Sequence, residues 1–151
     1  MSTNLNFVYV TYINGSAVKI WQAITDIDVT YKYWGHINVS DWRVGSKWEH
    51  QRRDESRTAD VVGIVVESSV PTRLVFTWVG PGEVRSDGPS QVTIDIESYS
   101  DIVRLTVTHE NLADEAERDE VTAGWSAVLS NLKTFVETGH ALPQKPWDMP
   151  N

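Results

Sequence analysis

GWSAVLSNLKTFVETG, residues 124–139, is the stretch whose reading decides the fold. Val121, Trp125, Val128, Leu129, Leu132, Phe135 and Val136 recur at helical spacing and make one broad apolar stripe, with Ser126, Asn131, Lys133, Thr134 and Glu137 mainly elsewhere. Gly139 suits the left-handed residue just past a helix end. The spacing therefore predicts a long amphipathic helix over 124–138 that needs an apolar surface to lie on. The acidic segment 111–119 reads as the lead into it, with Asp and Glu sitting favourably near its positive N-terminal end.

The preceding chain supplies that surface. Strands are expected at 59–68, 73–79, 90–98 and 102–109, with turn residues between them. Period-two alternation puts Leu74, Phe76 and Trp78 on one face, followed by Val92, Ile94 and Ile96, then Val103, Leu105, Val107 and His109. Thr93, Asp95, Glu97, Arg104, Thr106 and Thr108 fall opposite, so one sheet face is buried and the other wet. Residues 81–89, bounded by Pro81 and Pro89, are too long for a tight turn and read as a mobile loop. Upstream, 5–13 reads as a first strand. Ser16 then caps a helix whose Ala17, Ile20, Trp21 and Ile24 share a face, and a second short helix is expected at 31–34. Past a Val44-Gly45-Ser46 turn, Trp48, His50 and Arg52 would share one strand face. One domain over 1–140 and a proline-rich tail over 141–151 follow.

Composition excludes several functions. A net charge of −8 with scattered basic residues argues against a nucleic-acid backbone or an anionic membrane surface as partner. No window approaches a membrane span and no leader pattern is read, which gives a cytoplasmic expectation. With no cysteine, thiol catalysis and thiolate metal sites are out. The four histidines, at 36, 50, 109 and 140, show no metal-ligand spacing, and there is no nucleophile elbow, P-loop or dinucleotide fingerprint. No metal, cofactor or catalytic residue is assigned.

The ordered set of pieces resembles the START-like SRPBCC superfamily, the helix-grip fold, and within it bacterial proteins related to the activator of the 90-kDa heat-shock chaperone ATPase. The matching pieces are residues 20–26 (IWQAITD), 33–35 (YWG), 41–48 (DWRVGSKW), Gly63, 71–78 (PTRLVFTW), 105–110 (LTVTHE) and the Gly-Trp to Glu-Thr-Gly helix. The resemblance implies an α+β fold: a curved antiparallel sheet wrapped around a long C-terminal helix, with two short helices after the first strand. It also implies a cavity between sheet and helix, with Trp34, Trp48, Trp78 and Trp125 of the seven tryptophans around it.

The expected function is binding of a small hydrophobic or amphipathic molecule in that cavity, by a monomer or homodimer. Aromatic walls suit such a ligand, and His50 beside Trp48 could orient its polar group. The alternative for His50 and Arg52 is a solvated strand end paired with Asp54, Glu55 or Asp60, and His109 and Glu110 read as structural. The ligand-site candidates are Trp34, Trp48, His50, Phe76, Trp78, Ile94, Trp125 and Leu129. Two other functions compete: a cyclase- or hydrolase-type enzyme with His50 as acid or base, and a chaperone-regulating or other interaction module resting on Trp42 and the acidic run.

Overall fold

A computed structural model describes residues 5–150; the first four residues of the expected domain and the last of the expected tail lie outside it. The chain runs β1 (Leu5–Asn14), α1 (Ala17–Thr25), α2 (Ile27–Tyr33), β2 (His36–Val39), β3 (Lys47–Arg52), β4 (Ala59–Ser69), β5 (Arg73–Trp78), β6 (Ser90–Tyr99), β7 (Ile102–Leu112) and α3 (Glu115–Thr138), closing with a 3-10 turn, Pro146–Asp148. The seven strands form one sheet in the order β1-β7-β6-β5-β4-β3-β2, every neighbouring pair antiparallel. Curled around α3, this is the helix-grip α+β architecture.

The alternation read from sequence sets the sheet's two faces. Leu74, Phe76, Val92, Ile94, Ile96, Val103, Leu105 and Val107 are buried together with Trp125, Val128, Leu129 and Leu132 of α3 and Ile20, Trp21 and Ile24 of α1. On the outer face Arg73 bridges Glu67 and Asp95, and Arg104 pairs with Glu97. Helix α3 also covers the end of the β1 edge: Lys133 Nζ donates to the Tyr12 carbonyl at 2.5 Å, and Glu137 accepts from the Asn14 amide at 2.8 Å. Two backbone groups that would template a foreign strand are thereby satisfied.

Several boundaries differ from the sequence expectation. Helix α3 begins nine residues before Gly124, at Glu115, so the acidic run forms its first turns rather than a lead-in. Asp114 caps it, accepting from the Glu117 amide at 2.8 Å, while Glu117 reaches back past the cap to accept from the Ala113 amide at 2.9 Å; this is a capping-box pattern whose return bond falls one residue before the cap. Helix α2 starts at Ile27 because Asp26, which ends α1, also caps α2 through Asp28 N at 2.8 Å. Strand β7 runs on to Leu112, paired with Leu5. The 81–89 loop is pinned, with Asn111 Nδ2 donating to the carbonyls of Asp87, Gly88 and Pro89.

The segment read as a tail returns to the domain. Buried Asn131 on α3 donates to the Tyr33 carbonyl at 2.6 Å and accepts from the Leu142 amide at 2.7 Å, joining α2, α3 and the C-terminal segment. Trp147 then packs over Gly35, whose φ of +85° favours glycine; a Cβ there would lie 2.8 Å from the indole.

Candidate functional site

Helix α3 builds one wall of the site with a single stripe at i, i+3 and i+4 spacing: Asp114, Glu117, Glu120, Val121, Gly124, Trp125 and Val128. The other wall comes from the end of α2 (Trp34, Gly35), from β2 and β3 (His36, His50), and from β4 and β5 (Asp60, Val61, Trp78). Trp147 borders one side, and the open cleft has a volume of about 840 Å³. The stripe changes character along its length, carboxylates near the helix N-terminus giving way to valine and indole deeper in.

Indoles form the floor. Trp34 meets Trp125 edge-on at 5.6 Å between ring centroids, and Trp78 lies 5.5 Å from Trp125. Behind this floor a buried chain of hydrogen bonds fixes the rings. Trp125 Nε1 donates to His109 Nδ1 at 3.1 Å; Nε2 therefore carries the proton of the neutral ring and donates to Ser90 Oγ at 2.9 Å, and that hydroxyl donates to the Trp78 carbonyl at 2.6 Å. Burial, with the positive charge of Arg85 nearby, lowers the His109 pKa to about 4, so the ring stays neutral and the chain keeps this direction.

His50 is the polar group set among the indoles. The β2–β3 register pairs Asn38 with His50, and His50 Nδ1 lies 2.7 Å from Asn38 Oδ1. Asn38 Nδ2 is already donating to the Ile24 carbonyl at 3.2 Å, which leaves Oδ1 to accept. His50 thus carries its proton on Nδ1 and offers Nε2 as an acceptor with no hydrogen-bond partner among the described residues. Burial, and next the neighbouring His36, depress its pKa to about 3 against the opposing pull of Asp60. His36 stacks on His50 at 4.3 Å and binds Asp60 Oδ2 at 2.8 Å, and Arg52 completes the set by pairing with Asp60. The shared strand face thus splits: His50 turns into the cleft, while Arg52 is an exposed partner of Asp60.

Four of the expected site residues come together at the cleft: Trp34, His50, Trp78 and Trp125. The structure places the other four elsewhere. Phe76, Ile94 and Leu129 are enclosed in the core, because the layer of α1 and α3 side chains lies directly over them. Trp48 is 1% exposed, with its Nε1 donating to the Thr77 carbonyl at 2.7 Å across Gly63, and it borders a separate groove with Lys47, Glu49, Ile64 and Arg85. Sequence reasoning missed His36, Asp60, Glu120, Gly124 and Trp147. Only the α3 members carried a signal, since the Asp-x-x-Glu pattern at 114–117 marks a helix start that would have put 117 and 120 on the Trp125 stripe.

The family model described as Activator of Hsp90 ATPase homolog 1-like protein matches residues 14–137. The chain belongs to that family. No curated protein sequence matches it. Among solved structures, CalU16 from Micromonospora echinospora is similar at 22% identity with a TM-score of 0.76, over 97% of this chain and 73% of that one. The Aha1 dimer from Colwellia psychrerythraea is similar at 20% identity and a TM-score of 0.76, over 89% and 98% of the two chains. An HSP90 activator from Plasmodium falciparum is similar at 19% identity and a TM-score of 0.72, over 86% and 94%. At these identities the likeness establishes the shared fold. No helix among the described residues of this family member is long and apolar enough to cross a membrane.

Proposed function

We propose that this member of the family binds a small hydrophobic or amphipathic molecule in the cleft between the sheet and α3. The observation that carries the reading is the Nε2 of His50, without a hydrogen-bond partner among the described residues and beside the rings of Trp34 and Trp78, in a space of about 840 Å³ that Trp125 also lines. That volume is within the range of ligand pockets, and indole walls holding an oriented polar group, beneath a polar rim, are how such sites fix a ligand's direction. A hydroxyl or amide N–H of the ligand would donate to Nε2. Its low basicity supports binding over acid–base chemistry, since an imidazole with a pKa near 3 is a weak proton acceptor at neutral pH. Trp42, on which a protein-docking role would rest, is turned inward, with Nε1 donating to the Thr25 carbonyl at 3.1 Å and its ring stacked near Trp48.

The test is titration with a hydrophobic fluorescent probe, read by quenching of tryptophan emission. One-to-one saturable binding at micromolar probe is expected, and its absence overturns the reading. Gly124→Leu is the informative variant: a Cβ at Gly124 meets nothing within 4 Å, so the new side chain enters the cleft without disturbing the core. Probe affinity should fall at least about tenfold while circular dichroism is preserved.

A further inference from the structure

The formal charge of the cleft is one-sided. Asp60, Glu83, Asp114, Glu117 and Glu120 line it, and no lysine or arginine does. Lys47 and Arg85 line the neighbouring groove instead.

Part of this charge is accounted for. Asp60 is paired with Arg52, and Asp114 and Glu117 hold backbone amides at the α3 cap, where the helix N-terminus supplies about half a compensating positive charge. Glu120, and Glu83 of the β5–β6 loop, which also borders the neighbouring groove, remain, each without an ion-pair or side-chain hydrogen-bond partner among the described residues. Glu120 stands on the α3 stripe one turn before Gly124 and Trp125, so a charge held at the rim lies over the indole floor. The floor itself favours a cation, because the faces of tryptophan rings carry negative quadrupole density. The inward nitrogen of His50 is also a pure acceptor in its neutral tautomer. Carboxylate rim, indole faces and imidazole lone pair therefore all favour a positively charged donor.

Resting on the reading that the cleft binds an amphipathic molecule, we infer that its occupant is a cationic amphipath, a small molecule with an apolar body and an ammonium group. The body lies against Trp34, Trp78 and Trp125, and the ammonium group sits between the rim carboxylates and the indole faces. Fatty acids and organic phosphates are excluded by the same field, since their charge would have to enter an opening lined with carboxylates and no cation.

Three naphthalene probes of matched size test this: naphthylethylamine, naphthylethanol and naphthylacetate, titrated by tryptophan quenching at about 20 mM and about 500 mM salt. The expected order is amine, alcohol, carboxylate, with the amine at least about tenfold tighter than the carboxylate at low salt and the gap narrowing at high salt. Glu83→Gln and Glu120→Gln should each lower the amine-to-alcohol affinity ratio about two- to fivefold. A carboxylate bound as tightly as the amine, with the alcohol also bound, overturns the cationic inference and leaves the binding reading standing. Failure of all three probes overturns the binding reading, and the inference falls with it. An amine preference that survives intact in Gly124→Leu overturns the inference too, because it would then come from the acidic surface and not from the cleft.

Discussion

Trp48 and Trp125 make an instructive pair, since each sits on an apolar periodic face and each has its indole N–H bonded to a named acceptor. Around the Trp48 ring the packing is tight, although its strand borders a groove of about 550 Å³ on the other side of Gly63. Phe76 meets it edge-on at 4.7 Å, Trp42 stacks on it, and Gly63 beneath has no Cβ to hold it off; a Cβ there would fall 1.9 Å from the Thr77 carbonyl oxygen and 2.4 Å from Trp48 Nε1. Around Trp125 the same aromatic density, with Trp34, Trp78 and His109, leaves about 840 Å³ open. The two regions differ in what lies opposite the rings. Trp48 is roofed by the Trp42 loop, whereas the first turns of α3 stand across the cleft from β2, β3 and β4 and bring carboxylates and glycine to the rim. Aromatic content therefore does not mark a ligand site; the position of the facing element does.

The comparison can be broken at its filled end. Gly63→Ala should unfold the protein or cost more than about 3 kcal/mol, because the clash is with backbone and a ring locked on both faces; a near-wild-type urea midpoint would show that the Trp48 region is looser than described. Truncating the rings should separate the two regions. Trp48→Ala is expected to cost about 3–5 kcal/mol, and Trp78→Ala, with a side already open to the cleft, about 1–3 kcal/mol. Equal losses would mean that the cleft indoles pack as core.

Acid should act on the cleft region through its neutral buried histidines. His50 and His109 have folded-state pKa values near 3 and 4 against about 6.5 when unfolded. Between those values the unfolded chain binds protons that the folded chain refuses. Stability is therefore fullest above pH 6.5 and is lost as pH falls toward 4, at about 1.4 kcal/mol per pH unit for each histidine. Urea midpoints at a series of pH values from 7 to 4.5 measure the slope, and replacing His109 with Gln should remove about half of it. A flat profile would mean that the rings take up protons inside the fold.

The smallest expected effect sharpens the open end. Gly124→Ala should stabilise α3 by up to about 1 kcal/mol, since alanine is the better helix former and its methyl meets open space. A loss of stability would place an unseen neighbour in the cleft.

Much of this fold was legible because it rests on local periods. The alternation in β5, β6 and β7 and the apolar stripe ending at Gly139 reproduce most of the observed burial, with Val75, Thr93 and Asn131 buried against the pattern, and they suffice for a half-buried sheet under a long helix. The start of α3 was not read, because residues 115–120 carry few apolar side chains to show a period and the capping box at Asp114 was the remaining mark. Strand β2 is four residues long, too short for alternation to show.

By itself, then, the sequence determined most of the apolar faces that would be buried, the longer strands and where the last helix would stop, since side-chain direction along helix and strand is a matter of neighbours three, four or two positions apart. Tertiary structure alone decided which buried aromatic faces an opening. His36 and His50 stack only because β2 pairs with β3 in one register, and Asp60 reaches them only because β4 lies next. Trp147 joins the cleft because a chain more than a hundred residues downstream of Gly35 folds back over it. Such contacts depend on how distant elements close on one another, and no local spacing records that.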